Sequence, residues 1–529
     1  MSILKSHPIR FYHPKAFWIG TIAILSGVIA HIPMFLNAAD VNYQMAGMQM
    51  SGLMEAGMYV ILLGTMTAAY GLYPPSTPES RRKKKITISR VCAKTLDNAP
   101  FTLMHCKLVA ILLVALIIDI MKPVTLGFVM PGTLVEYGLS KSQIASLPMS
   151  GLLGTVIGSF LWGYLGDVIG RRSSILLAAL IFIGTSICGT MPSYNWNLFM
   201  CFIMGLGAGG MFPIAFSLLA EIIPSRHRGW LIVLLGGIGT IGGYLAASVA
   251  ATILEPVYSW RILWLLGLPT GLILIILNRY IPESPRYLMM HGNKEEARRV
   301  MAMFNIELVQ EVENPRTTIE DNQNIKPGNL RKLFQEPFKK LTYGLGLYGF
   351  AWGMVNFGFL LWLPLNLREL GMGENSDILL AQSALIAFPT ILLVAWMYNK
   401  WSTKGTMILF AMSTALTLIG FATIEYFPAQ TWLIELLLIS LLVSNSGAIA
   451  MLAPYTTEVY PAQIRSTGSG WTAGVSKLAG AFTLGIAFLG LTPNLTSSAL
   501  IIAIPTLLAV YLMAKDGVET CGREIREAY

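Results

Sequence analysis

Gly163-Tyr-Leu-Gly-Asp167-Val-Ile-Gly170-Arg171-Arg172 joins two long apolar stretches, 146–166 and 174–192, and how it is read decides the fold. Its glycines permit a tight turn and close approach of the flanking segments. Its paired arginines mark a turn held at one face of a membrane. Apolar stretches near the ~20 residues that cross a bilayer recur on both sides of it. Each must be helical, because lipid cannot satisfy free backbone groups.

Composition agrees. Of 529 residues, 54% are hydrophobic and 12% charged, where soluble domains carry about 25% charged. The net charge of +9 is concentrated at Lys5/Arg10/Lys15, Arg81–Lys85, Arg171/Arg172, Arg226/Arg228, the stretch from Arg279 to Lys340, Lys400/Lys404 and Lys515 to Arg526. The alternate loops are nearly bare of Lys and Arg. That positive-inside pattern places both termini in the cytoplasm. The excess is topological, so nucleic-acid binding is not expected. Five scattered cysteines give no disulfide framework. The first apolar stretch lacks a convincing cleavage site and reads as a retained helix.

The chain divides into fourteen expected spans. Two form an N-terminal hairpin (17–36 and 53–73), with residues 1–73 as its unit. A basic linker follows over 74–105. Six spans fill 106–281, near 107–130, 146–166, 174–192, 197–220, 230–253 and 260–281. A polar cytoplasmic segment runs over 282–340. Six more spans fill 341–513, near 341–363, 378–398, 406–425, 432–455, 467–489 and 494–513, before a tail at 514–529. Six, a cytoplasmic segment and six again suggest two halves related by an internal repeat. The fourth span ends in Glu221-Ile-Ile-Pro224-Ser-Arg-His-Arg228, the tenth in Glu458-Val-Tyr-Pro461-Ala-Gln-Ile-Arg465. Glu, Pro and Arg recur at identical spacing. The loop Asn399-Lys400-Trp-Ser-Thr-Lys404 takes the place of 163–172 in the second half, but is degenerate.

The 163–172 sequence matches GxxxDxxGRR in full, between the second and third core spans. On this motif the chain resembles the major facilitator family. The resemblance implies an all-α membrane protein of two six-helix bundles in pseudo-twofold arrangement, here with an extra N-terminal hairpin. It also implies that Gly163, Asp167, Gly170, Arg171 and Arg172, with Glu221, Arg228, Glu458 and Arg465, act as a conformational latch. Asp167 would face the positive N-terminal end of a helix from the other half, and the span starting near Thr467 is the candidate. Pro282-Glu283-Ser284-Pro285-Arg286 resembles the sugar porters, organic cation transporters and synaptic vesicle protein relatives. Physically, Ser284 as N-cap with Pro285 next starts a cytoplasmic helix that includes Lys294-Glu-Glu-Ala-Arg-Arg.

Charges at membrane depth are costly and face a cavity or a partner. Asp119 and Lys122 are three apart and expected to share a helix face and pair. The stretch resembles the first helix of aromatic acid:proton symporters, pattern DGxD. Asp119 fits the first Asp, and Lys122 replaces the second. Lys477, in Gly474-Val-Ser-Lys477-Leu-Ala-Gly480, stands where those symporters often have Arg. Where many proton-coupled members have an Arg in the fourth helix, this chain has Cys201. Tyr348, Trp352 and Asn356, spaced by four, are expected on one face of the seventh span, lining the cavity or packing. Gln382 and Asn445 are weaker candidates. Two lysines favour an anion. The leading expectation is a secondary transporter of a small organic metabolite, an organic anion or carboxylate, working by alternating access with proton coupling centred on Asp119.

The hairpin's outer turn is rich in methionine: Met45, Met48, Met50, Met54 and Met58. Thioethers suit Cu(I), but methionine also fills gaps between helices, and the favoured reading is packing. Alternatives to the organic anion are a metal, a metal chelate or a sugar. A non-transporting sensor is the alternative of another class. No phosphate-binding loop and no nucleophile–base spacing occurs, so neither ATP-driven transport nor an enzyme is expected. The expected partners are a small substrate, protons and the lipid bilayer, with no cofactor, for a monomer in a bacterial inner membrane.

Overall fold

In the computed structural model the described residues are 11–73, 100–290, 293–306, 330–369, 375–424, 431–460, 464–491 and 494–521. Residues 74–99 of the linker and residues 307–329 of the inter-bundle segment lie outside them. The elements are α-helical with short 3-10 and π turns, and among the described residues there is no strand.

The hairpin is α1 (Pro14–Ile29) and α2 (Gly52–Leu72), joined by a short helix at Ile32–Asn37 and a 3-10 turn. Ser51 caps α2, accepting from the Met54 N–H at 3.4 Å. The two helices approach closely through small residues: a Cβ on Gly27 would fall 2.6 Å from the Gly57 carbonyl.

The first half comprises α3 (Leu103–Glu136), α4 (Ser146–Val168), α5 (Arg171–Thr185), α6 (Tyr194–Ile222), α7 (Ser225–Tyr258) and α8 (Gly267–Asn278). The cytoplasmic helix expected after Ser284 is two pieces, Pro285–Met290 and α9 (Lys294–Met303). The second half comprises α10 (Lys339–Gly353) with its extension to Leu367, α11 (Asn375–Ala387), α12 (Thr390–Lys400), α13 (Thr403–Ala422), α14 (Thr431–Val459), α15 (Arg465–Phe488) and α16 (Leu495–Asp516).

Twelve helical stretches among the described residues are long and apolar enough to cross a membrane. Two of the fourteen expected spans miss that standard. The stretch Ile262–Asn278 is too short, and α15 is diluted by Gly, Ser, Thr and Lys477. The fourteen-span count is therefore not reached on length and apolarity alone.

The halves meet where α7 packs on α11, α12 and α14, and where α4 packs on α15. The hairpin lies on α5. That explains why 94% of the membrane window at Arg171–Thr190 is buried, against 56% in α13, its counterpart in the second half.

Candidate functional site

At membrane depth, α3 carries Asp119 and Lys122, only 3% and 5% exposed. The expected pair between them does not form. Lys122 turns into its own bundle. Its Nζ lies 5.7 Å from the centre of the Phe182 ring and fills the space a side chain at Gly267 would need. Three residues along a helix leave two groups about 60° apart, enough to send the lysine towards α5 and α8 and away from the carboxylate. Asp119 instead interacts electrostatically with Lys477 of α15. Lys477 also donates to Ser159 Oγ of α4. Ser159 in turn donates to the carbonyls of Thr155 (2.8 Å) and Gly209 (3.1 Å). A cation of the second half is thus bonded to a hydroxyl of the first and lies within electrostatic reach of its carboxylate.

Two further features distinguish this region. Asp119 Oδ1 is buried with no hydrogen-bond partner among the described residues, a costly arrangement in a structure that serves no ligand. Among the described residues no atom lies within 4 Å of where a Cβ on Gly470 or Gly474 would project, so that face of α15 is open just before Lys477.

The seventh span does not present its expected row. Tyr348 is buried and donates from its hydroxyl to the Met407 carbonyl at 3.3 Å. The Trp352 indole N–H donates to the Asn445 carbonyl at 3.1 Å. Both turn into the second bundle. A π-helical segment, Met354–Phe359, then breaks the four-residue register before Asn356 can continue it. Gln382 is exposed. Asn445 is buried, and its Oδ1 has no hydrogen-bond partner among the described residues.

At the end bearing the basic loops, the two motifs of the first half interlock. Gly170 adopts φ +101°, and a Cβ there would strike the Glu283 carboxylate. Glu283 accepts from the backbone N–H groups of Arg171 (2.8 Å) and Arg172 (3.4 Å), capping α5. Arg171 pairs with Glu221 at 3.4 Å. Ser284 donates to the other Glu221 oxygen and caps its own helix by accepting from the Tyr287 N–H. Arg172 reaches the carbonyls of Asn278 and Arg279. Arg228 donates to the Ile223 carbonyl at 3.1 Å. The side chains of Asp167 and Arg465 lie outside what is described.

The second half repeats this arrangement more fully than its degenerate loop suggests. Glu519 accepts from the Thr403 N–H at 2.9 Å, capping α13 as Glu283 caps α5. Thr520 donates to Glu458 at 2.6 Å, as Ser284 does to Glu221. The sequence carried the signal: Ser284 follows Glu221 by 63 positions, and Thr520 follows Glu458 by 62.

The two caps titrate in opposite directions. Burial lifts Glu283 to about 7, outweighing the N–H groups of Ser284, Arg171 and Arg172. At Glu519 burial also pushes upward, but bonds from Ser402, Thr403 and Cys521 prevail and lower it. A carboxyl raised on folding stabilises most in its protonated range. The Glu283 contribution is full below its ordinary value of 4.5 and is lost as pH rises through about 7. Melting of the wild-type protein relative to Glu283→Gln is therefore expected to fall between pH 4.5 and 7 and to level off above. A difference that stays flat across that range would contradict the assignment.

At the opposite end, the nearly bare loops hold three basic residues, Lys141, Arg261 and Arg368. Each is ion-paired. Lys141 meets Glu369 at 2.5 Å, and Arg368 meets Asp377 at 2.6 Å and Glu255 at 3.0 Å. The Lys141 and Glu255 pairs cross between the halves. Arg261, fully buried, pairs with Glu136 at 2.6 Å. It also donates to the Gly189 and Met191 carbonyls and the Tyr137 hydroxyl. Glu136 accepts as well from the backbone N–H groups of Met45 (2.7 Å) and Ala46 (3.0 Å). This node pins the hairpin's outer turn to the first bundle, and sequence reasoning missed it. An arginine in an otherwise bare loop, with a glutamate at the end of a neighbouring span, was the available sign.

The five methionines are not gathered into one set. Met45 packs with Phe35 and Ala38, whereas Met58 packs on the main core. Met54 is buried and Met48 exposed, with Met50 between.

Two helical bundles meeting around a charged site at membrane depth define a membrane transporter rather than an enzyme. A family model described as Major Facilitator Superfamily matches residues 108–484, and the chain belongs to that family. It is 28% identical to the niacin transporter NiaP of Acinetobacter baylyi over 73% of this chain and 87% of that one. It is 24% identical to the 4-hydroxybenzoate transporter PcaK of the same organism, over 78% and 91%. Among solved structures it resembles the xylose transporter XylE from E. coli in a partially occluded inward-open conformation. There the TM-score is 0.63 at 19% identity, over 80% of this chain and 100% of that one. The likeness to XylE concerns the fold alone.

Proposed function

We propose that this protein is a secondary transporter of a small organic carboxylate, bound between the halves at Lys477 and carried by alternating access. The observation that carries the reading is Lys477, which donates to Ser159 of the other half and feels the charge of Asp119, at membrane depth. The formal sum over Asp119, Lys122 and Lys477 is +1, so a monoanion completes the balance. A carboxylate arriving at Lys477 competes with Asp119 for the same ammonium. Asp119, released, is then the group to take a proton, which links substrate and proton movement. The relatives named for niacin, 4-hydroxybenzoate and benzoate support the same class, since each compound pairs one ring with one carboxylate. The Lys141–Glu369 and Arg368–Glu255 ion pairs are the contacts that opening towards that end must break.

A ligand that binds only the folded state raises apparent stability. A thermal-shift screen of the purified protein against benzoate, nicotinate, xylose, carnitine and Cu(I) is expected to respond to the two aromatic acids. A shift with xylose or Cu(I) alone would replace this reading with the sugar or metal alternative.

A further inference from the structure

The π-helical turn Met354–Phe359 lies between Trp352, which is turned inward, and the contact of the halves. A π turn adds a residue and re-aims the side chains around it, and it recurs at functional sites. Here Phe357 is laid on Gly480. A Cβ at 480 would fall 2.5 Å from Phe357 Cδ2 and 2.8 Å from Leu152 Cδ2. Position 480 must be glycine for the ring to sit there. Leu152 belongs to α4, so a side chain of the first half and the Phe357 ring of the second both lie over Gly480. Trp352 stands edge-on to Phe357, with ring centroids 6.2 Å apart and planes at 82°, and its bond to the Asn445 carbonyl fixes the indole. Phe357 itself is only partly buried.

Gly480 follows Lys477 by three residues, so both lie on one flank of α15, a turn apart. The ammonium sits at Ser159 and Gly480 at Leu152, seven residues apart on α4 and so about 10 Å along that helix, a span that a benzoate-sized acid covers when its ring packs about 4.5–7 Å from Phe357. A carboxylate held at Lys477 thus places the ring that bears it within reach of Phe357.

We propose that Phe357, seated on Gly480 and buttressed by Trp352, is the specificity-determining platform that selects planar aromatic acids over saturated acids of the same charge. The proposal rests on the carboxylate reading above and adds the recognition of the ring.

The experiment measures equilibrium binding of four probes to purified full-length protein: benzoate, cyclohexanecarboxylate, benzamide and cyclohexanecarboxamide. Wild-type protein is expected to prefer benzoate over cyclohexanecarboxylate by roughly three- to tenfold, the worth of one aromatic contact. Phe357→Leu should bring that ratio close to one, and Phe357→Tyr should keep it. Gly480→Ala, which displaces the ring without removing it, should lower the ratio as well. It also serves as the deciding variant if Phe357→Leu melts early. An unchanged ratio in a folded Phe357→Leu or Gly480→Ala protein would overturn the proposal, as would a wild-type ratio near one. The carboxylate reading fails separately, if benzamide binds as well as benzoate. The platform would still stand in that case if benzamide outbinds cyclohexanecarboxamide and Phe357→Leu removes the difference. Binding of none of the four overturns both.

Discussion

Replacing Lys477 with methionine is expected to weaken carboxylate binding by roughly thirtyfold or more, the usual cost of removing one partner of a buried charge pair. The loss has two sources. The substrate carboxylate loses its cation, and Asp119 loses the lysine whose charge acts on it. An isolated carboxylate in that setting takes up a proton rather than remain charged. The variant should therefore fold and insert while binding benzoate poorly. Asp119→Asn combined with Lys477→Gln should melt like wild type and still fail to bind. If benzoate affinity in Lys477→Met stays within about threefold of wild type, a difference well under 1.4 kcal/mol, the lysine is structural.

Arg261→Met should be the most destabilising single change outside the core, by about 3–5 kcal/mol, because it strands Glu136 without its cation. The pair is sealed from solvent, with the arginine side chain 0% and the glutamate 6% exposed. Arg261 stacks on Trp260 at 4.6 Å and donates to two backbone carbonyls, the Glu136 carboxylate and the Tyr137 hydroxyl. Lysine cannot reproduce that planar fork, so Arg261→Lys should be nearly as damaging. Removing both charges, as Arg261→Met with Glu136→Gln, should recover part of the loss. Melting in detergent, with proteolysis of the 45–51 turn as a local reporter, separates these cases. A fully stable Arg261→Met protein would show that the node does not anchor the hairpin.

Much of the fold could be read from residues 163–172 and the alternation of basic and bare loops, because both follow from how lipid treats backbone and charge. The Glu221/Glu458 repeat was legible for the same reason: both residues end a helix at the same membrane face. The site was legible only in part. Asp119 and Lys477 stood out as charges at membrane depth, but their electrostatic coupling across the halves is a tertiary fact that spacing within one helix cannot reveal. Spacing pointed to Lys122 as the partner, and packing turned Lys122 away. The row Tyr348, Trp352 and Asn356 assumed an unbroken α-helix, and the π turn at Met354–Phe359 ended that register. Nothing in the local sequence announces that turn, which lies where α10 meets Gly480 and Thr483 of α15. Glu136 and Arg261 sat at span ends, where a charge reads as ordinary solvation until the hairpin is seen to cover it.

The central claim, carboxylate transport through the seam at Lys477, is tested most directly by flux. Purified protein in liposomes should accumulate labelled benzoate or nicotinate, unlabelled acid should compete, and the corresponding amide should not. Lys477→Met liposomes should show only the leak of empty vesicles. Uptake that the amide inhibits as well as the acid, or uptake that persists in Lys477→Met, would contradict the account.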